Sequence, residues 1–199
     1  MPTPLCLAST SPTRASMLHA AAVAFTTEPP RVDEEALRAA LALQGTTPRD
    51  MADALAEMKA VKVSARRPET LVIGADQILS LGSRVFSKPE SADDARDQLA
   101  DLSGKRHELH TAAVIAQAGR PVWRHVDTAR LTMRDLSPAY IDAYIGRNWP
   151  DVAGSVGAYR IEAEGVRLMA RIEGDWFGIL GMPLVAILGY LATRGEIET

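Results

Sequence analysis

Residues 70–81, TLVIGADQILSL, form an apolar run that is interrupted by Gly74 and then by the polar pair Asp76 and Gln77. Val, Ile and Leu in such a run are typical of a buried strand, and polar side chains within it need partners or a function. The stretch predicts a core strand with a carboxylate among apolar side chains. Asp76 is either a hydrogen-bonded structural acid or a metal ligand or general base, and the sequence leaves both interpretations open.

Further strands are predicted on both sides of this run. Apolar or alternating patterns indicate strands over residues 5–8, 107–118, 122–133 and 166–172. The second and third of these are joined by AGRP, which is typical of a hairpin turn and gives antiparallel neighbours. Helical stretches lie between the strands, so we predict an α/β or α+β fold with a mixed sheet flanked by helices.

Hydroxyl residues mark the predicted helix starts. Ser11-Pro12, Thr47-Pro48 and Ser137-Pro138 each precede a helical pattern, and Ser91 begins a fourth. Between the first two, residues 26–48 (TTEPPRVDEEALRAALALQGTTP) are predicted to be a mobile loop.

Bulk properties restrict the class of protein. The chain has 199 residues and a formal net charge of −3, so one globular domain over residues 1–199 is expected, with no general attraction to nucleic acid or anionic membranes. Cys6 is the only cysteine, which fits a reducing compartment. There is no secretory signal pattern and no apolar run long enough to span a membrane, so we expect a cytoplasmic protein.

The stretch LASTSPTRASML, residues 7–18, predicts an anion site at a helix start. Ser9, Ser11 and Arg14 lie beside the positive end of a helix dipole, where phosphate binds readily. An ordinary capped helix explains the same residues and remains the alternative.

Three more charged positions are candidates for the same site. Glu34 lies in the acidic run 33–35, Lys59 borders the apolar face of a helix, and Lys88 lies in the loop FSKPES. Each also fits a solvated surface charge, and Lys59 in particular can extend outward to water. A glycine-bracketed loop, residues 154–165, carries Glu162 and is either a base-recognition loop or an ordinary surface loop.

Taken in order, the motifs resemble one family, the Maf proteins, which are nucleoside triphosphate pyrophosphatases related in fold to inosine triphosphatases. The resemblance covers nearly the whole chain and implies a central nucleotide cleft. It rests on LASTSPTR, VDEE, LAEMKA, GADQ, KPES, LSGKRH, AGSVGAY and GDWFGILGMPL.

The resemblance implies roles for these residues. Ser9, Ser11 and Arg14 would bind the phosphates, with Lys59 and Lys88 as further counter-charges. Glu34 and Asp76 would hold a divalent cation, Mg²⁺ or Mn²⁺, or activate the water that attacks the α-phosphorus and expels pyrophosphate. A homodimer is a further expectation from the family.

Two departures from the family pattern concern the base. Thr13 replaces the first arginine of the usual SPRR, and Glu162 stands where the dTTP and UTP branch has glutamine. An ionised glutamate only accepts hydrogen bonds, whereas glutamine also donates. Gln77 and the AGS of residues 153–155 resemble the branch acting on 7-methyl-GTP, whose cationic base a carboxylate such as Glu162 would favour.

Other functions remain open at this point. The first alternative within the family is a dTTP and UTP pyrophosphatase. Another is a non-catalytic nucleotide-binding regulator of septum formation, and a third is a phosphomonoesterase, which would release orthophosphate. Retention of both Glu34 and Asp76 favours the pyrophosphatase, because two carboxylates facing a polyanion weaken binding unless a metal intervenes.

Overall fold

A mixed sheet runs through the computed structural model, which describes residues 3–198. Within those residues seven strands pair in the order β2-β1-β3-β5-β6-β7, with β4 added to β3. The β1 strand is parallel to β2 and β3, whereas β4 is antiparallel to β3 and β7 to β6, which confirms the predicted mixed sheet. The strands are β1 (Leu5–Leu7), β2 (Thr26–Thr27), β3 (Leu71–Leu81), β4 (Arg84–Phe86), β5 (Arg106–Gln117), β6 (Arg120–Met133) and β7 (Met169–Glu173).

The four predicted helix starts are confirmed. The side-chain oxygens of Ser11, Thr47, Ser91 and Ser137 each accept a hydrogen bond from the amide three residues further on, at 3.1–3.4 Å. The α-helices are α1 (Pro12–Ala20), α2 (Glu34–Leu43), α3 (Pro48–Ser64), α4 (Ala92–Leu102), α5 (Pro138–Asn148), α6 (Trp176–Ile179) and α7 (Leu184–Thr193). Between residues 3 and 198 no helix has the length and apolar character needed to cross a bilayer.

Two local predictions are wrong. Residues 26–48 are not a loop, because they contain β2 and the ten-residue helix α2, which is capped by Asp33. The signals for this helix are present in the sequence, because Asp33 is a good N-cap residue and EEALRAALAL is amphipathic, but none of its residues is buried in the fold. The strand predicted from residue 166 begins only at Met169, since Glu164–Leu168 form a 3₁₀ helix.

The described chain divides into two compact units. The first comprises residues 3–77, 110–128 and 175–198, and the second comprises residues 78–109 and 129–174. The first unit has a core in which β1, β3 and β5 contribute apolar side chains together with α1 and α7. The second buries apolar residues of α4 and α5 together with β4 and the ends of β5 and β6.

Glycine at position 74 allows β3 and α3 to pack closely. A Cβ atom at Gly74 would lie 2.2 Å from the carbonyl oxygen of Ala56 and 2.6 Å from the amide nitrogen of Ala60. Backbone atoms of a helix cannot move aside at small cost. Gly74 therefore sets the distance between β3, which carries Asp76, and α3, which carries Lys59.

We expect Gly74→Ala to lower the free energy of unfolding by about 2–4 kcal/mol, because overpacking against a backbone forces the helix away. Gly189→Ala is the matched control, since Gly189 lies in helix α7 of the same unit with open space around it. The control should be neutral or raise stability by about 0.5–1 kcal/mol. Urea unfolding of both variants measures the difference, and equal stabilities would contradict close packing at Gly74.

The second unit contains a buried histidine–tyrosine pair. The Nε2 atom of His107 lies 2.8 Å from the Tyr159 hydroxyl, and the two residues are 1% and 5% exposed. Burial lowers the pKa of His107 to about 4 and raises that of Tyr159. Both side chains are therefore neutral at physiological pH.

This pair predicts a pH dependence of stability. In the unfolded chain His107 binds a proton as the pH falls below the ordinary histidine pKa of 6.5. In the folded chain its imidazole stays neutral until the pH reaches about 4. The stabilisation is therefore present above pH 6.5 and is lost as the pH falls to 4, by up to about 3 kcal/mol. In His107→Gln the free energy of unfolding should vary less between pH 6.5 and pH 4 than in the wild-type protein. In the control His19→Gln it should fall over this range as it does in the wild-type protein.

Candidate active site

The end of β1 and the start of α1 form a cluster of hydroxyl and guanidinium groups. The Oγ of Ser9 accepts from the Ser11 amide at 3.1 Å, and the Oγ of Ser11 accepts from the Arg14 amide at 3.4 Å. An Arg14 Nη1 group lies 3.5 Å from the Ser9 hydroxyl. Ser11 thus caps the helix, and Ser9 lies beside the guanidinium. Phosphate binding by these groups stays a prediction.

The C-terminal part of the chain fixes the orientation of Arg14. Its Nε donates to the carbonyl oxygen of Gly181 at 2.7 Å. Gly181 has a φ of +105°, a conformation that glycine adopts without strain. Gly181 lies in the family motif GDWFGILGMPL, but nothing in the sequence indicates that its backbone carbonyl meets Arg14.

Lys59 is the centre of the charged site. Its ammonium lies 2.6 Å from Asp76 Oδ1 and 2.8 Å from Glu34 Oε2. Lys59 and Asp76 are each 4% exposed, whereas Glu34, at the first position of α2, is partly exposed. The side chain therefore does not extend outward to solvent, and the structure brings the two predicted carboxylates together on one cation.

One oxygen of the buried carboxylate has no protein partner. Asp76 Oδ1 is bound by Lys59, but Asp76 Oδ2 is buried and makes no hydrogen bond. A buried unpaired carboxylate oxygen is costly and is rare in native proteins. Asp76 therefore offers an acceptor that a metal ion, a water molecule or a substrate can use.

The donor set fits a hard divalent cation. Mg²⁺ and Mn²⁺ bind oxygen ligands, and Mg²⁺ is usually held by one or two carboxylates together with substrate phosphates and water. Asp76 and Glu34 supply two such carboxylates. Among residues 3–198 there is no group of three or more His, Cys, Asp or Glu side chains arranged to hold a metal, so phosphates and water would complete the coordination.

The arginine of α1 lies within the electrostatic reach of both acids. Burial lowers the pKa of Arg14, and the charges of Asp76 and Glu34 raise it in partial compensation. The four groups, two cations and two carboxylates, sum to zero charge. A polyanion that binds here gains no net attraction from these side chains alone.

Gln77 contacts the opposite face of β3 from Asp76, because neighbouring residues in a strand alternate. Its amide nitrogen lies 2.9 Å from the Thr111 hydroxyl and 3.0–3.1 Å from the carbonyl oxygens of Gly178 and Ile179. Thr111 also donates to the Gly178 carbonyl at 2.8 Å. This amide nitrogen therefore anchors helix α6 to the sheet, and a contact of Gln77 with substrate stays a prediction.

The other two predicted site residues belong to the second unit. Lys88 is exposed in the turn between β4 and α4. Glu162 lies at the surface, where it accepts a hydrogen bond from Arg160 Nε at 3.0 Å. The first unit thus carries seven of the predicted residues, Ser9, Ser11, Arg14, Glu34, Lys59, Asp76 and Gln77, and the second unit carries Lys88 and Glu162.

An α/β fold with hydroxyl groups at a helix start and paired carboxylates on a buried lysine defines a candidate phosphate-handling protein. A family described as Maf-like protein matches residues 4–194. The chain belongs to this family, which confirms the resemblance drawn from its motifs.

Curated relatives are similar over their whole length. A nucleoside triphosphate pyrophosphatase of Ruegeria pomeroyi is 52% identical over 199 residues, which is all of both chains. A nucleoside triphosphate pyrophosphatase of Caulobacter vibrioides is 51% identical over 195 residues, 98% of each chain. A 7-methyl-GTP pyrophosphatase of Brucella abortus is 46% identical over 194 residues, again 98% of each chain.

Removing the buried lysine tests the structural part of this arrangement. We expect Lys59→Met to lower the free energy of unfolding by about 3–5 kcal/mol, because it leaves the buried Asp76 charge without a partner. Lys62→Met on the exposed side of the same helix should change it by less than about 1 kcal/mol. Urea unfolding without nucleotide gives both values, and a stable Lys59→Met variant would show that the ion pair is dispensable for folding.

Proposed function

We propose that this protein hydrolyses nucleoside triphosphates to the monophosphate and pyrophosphate. The observation that carries the proposal is the buried Asp76 carboxylate, which binds Lys59 through one oxygen and leaves the other without a partner. A purely structural ion pair does not need such an oxygen. Relatives of about 50% identity that are named nucleoside triphosphate pyrophosphatases support the same reaction.

In this reaction a water oxygen bonds to the α-phosphorus, and the bond from that phosphorus to the oxygen bridging to the β-phosphate breaks. Pyrophosphate takes the electron pair of that bond as it leaves. Asp76 Oδ2 is proposed to accept the proton of the attacking water or to ligate a cation, while Lys59 holds the carboxylate through Oδ1. A divalent cation held by Asp76 and Glu34 would neutralise phosphate charge and lower the pKa of water.

The α1 cluster is proposed to hold the phosphate chain. Arg14 offers its Nη groups while Gly181 fixes its Nε, and Ser9 and Ser11 present hydroxyls beside it. Lys88 is proposed as a further phosphate counter-charge. Fixed donors of this kind stabilise the charge that develops on the phosphate oxygens during the displacement.

Charge balance favours an enzyme over a regulator that only binds nucleotide. A triphosphate carries about four negative charges near neutral pH, whereas Arg14, Lys59, Asp76 and Glu34 together contribute none. A binding protein would gain affinity by losing the two acids. Their presence is explained if they hold a cation and handle the proton of the attacking water.

For the base we propose 7-methyl-GTP as the preferred substrate. Its base is cationic, and the Glu162 carboxylate is a suitable acceptor for a positive group. Arg160 already pairs with Glu162 at 3.0 Å, so a cationic base would replace one positive partner by another. The Brucella abortus relative named 7-methyl-GTP pyrophosphatase supports this choice.

The reaction is tested by measuring pyrophosphate and orthophosphate release with Mg²⁺ or Mn²⁺ from a panel of dTTP, UTP, CTP, GTP, ITP, XTP and 7-methyl-GTP. We expect pyrophosphate as the product and 7-methyl-GTP as the best substrate. Orthophosphate as the first product would indicate a phosphomonoesterase. Tight binding without release from any nucleotide would instead indicate the regulatory protein.

Asp76→Asn should lower kcat at least about 100-fold while the fold is retained, because the change keeps the shape and removes the charge. Asp33→Asn is the matched control, since Asp33 is an exposed carboxylate and asparagine retains its capping role. Calorimetric titration of Mn²⁺ without nucleotide gives a second readout. Equal Mn²⁺ affinity and turnover in both variants would remove Asp76 from the mechanism.

A further inference from the structure

Gln98 is a buried polar residue that contacts two separate segments of the second unit. It lies on α4 and is 6% exposed, among the buried apolar residues Ala95, Leu99 and Leu102. Its Nε2 donates to the Ser87 carbonyl at 3.2 Å, with Asp94 as a second acceptor at 3.2 Å. Its Oε1 accepts from the Gly157 amide at 3.2 Å. One side-chain amide thus joins the chain before α4 to the chain after α5.

The two segments carry the two proposed substrate contacts of this unit. Ser87 directly precedes Lys88, the proposed phosphate counter-charge. Gly157 lies in the loop of residues 154–165, which also carries Glu162, the proposed contact to the base. We propose that Gln98 is a positioning residue that fixes Lys88 and Glu162 relative to each other, so that phosphate binding and base selection depend on one side chain. This inference rests on the proposed function.

The loop from Gly157 is held tightly enough to transmit a displacement. Gly157 has a φ of +77°, and a Cβ atom there would lie 2.7 Å from Leu79 and 2.8 Å from the Tyr159 ring. Tyr159 is hydrogen-bonded to His107. At the far end, Gly165 packs against the backbone of Arg160, where a Cβ atom would lie 2.4 Å from the carbonyl oxygen. A shift at Gly157 therefore moves the connected residues together instead of being absorbed locally.

A purely structural role for Gln98 makes a different prediction. If Gln98 only satisfies the two backbone groups of Ser87 and Gly157, its loss lowers stability but leaves the KM and base preference of the folded enzyme unchanged. If it positions both segments, its loss raises KM and reduces discrimination between bases, while kcat at saturation changes less.

The test compares Gln98→Met with the matched control Leu99→Met. Gln98→Met keeps the volume and removes the hydrogen bonds to Ser87, Asp94 and Gly157. Leu99→Met is a volume-conserving change at a buried neighbour on the same helix. Hydrogen exchange of the free proteins, followed by mass spectrometry, reports on residues 84–90 and 155–165. We expect exchange in both segments to rise at least about 5-fold in Gln98→Met and to stay unchanged in the control.

Kinetics on the same variants complete the test. We expect Gln98→Met to raise KM about 5–10-fold and to reduce the ratio of kcat/KM between 7-methyl-GTP and dTTP at least about 3-fold. A variant that only melts earlier, with unchanged exchange in either segment or with unchanged KM and base ratio, would overturn the proposal. If the wild-type protein releases no pyrophosphate, the proposed function fails, while the exchange experiment still decides whether Gln98 links the two segments.

Should Gln98→Met not fold, Gln98→Glu provides a second route at pH 8. The glutamate keeps an acceptor for the Gly157 amide and loses the donor to the Ser87 carbonyl. Faster exchange confined to residues 84–90 is the expected result. Unchanged exchange there would contradict the link through Ser87.

Discussion

The buried ion pair between Lys59 and Asp76 depends on how closely one helix approaches one strand. Gly74 lets α3 pack against β3 at a distance that any Cβ atom would prevent. The lysine ammonium then reaches the carboxylate two residues further along the strand, at 2.6 Å. Glu34 joins the same ammonium from a helix that buries none of its own residues. The position of the acids in the candidate site is therefore set by packing before any ligand binds.

Electrostatic balance follows from that packing. In the proposed phosphate site two carboxylates alone would repel the substrate, and two cations alone would attract it. The charges of Arg14 and Lys59 against Glu34 and Asp76 sum to zero. Under the proposed function, the further positive charge that a polyanion needs comes from Lys88 and from the proposed divalent cation.

The sequence was sufficient to predict features whose cause is local. The four capped helix starts, the mixed sheet and the buried strand with Asp76 follow from hydroxyl-proline pairs and apolar patterns. The family motifs also brought together the residues that the first unit gathers. Helix α2 was missed although its sequence carries an N-cap residue, Asp33, and an amphipathic pattern, EEALRAALAL.

The sequence does not predict contacts that are made through backbone atoms. No sequence pattern indicates that Gln77 anchors α6 through two carbonyl groups, or that Gln98 joins Ser87 to Gly157. Side-chain type predicts the chemistry a residue offers, but its partner depends on which chain segments the fold brings close. Long-range polar contacts of this kind can be identified only from the folded structure.

The hydrogen bond from Arg14 to the Gly181 carbonyl joins residues 167 positions apart. During synthesis the arginine leaves the ribosome long before its acceptor exists. In a nascent chain that has not yet reached residue 181, the guanidinium of Arg14 has no Gly181 carbonyl to orient it. The order of synthesis therefore delays assembly of the proposed phosphate contact.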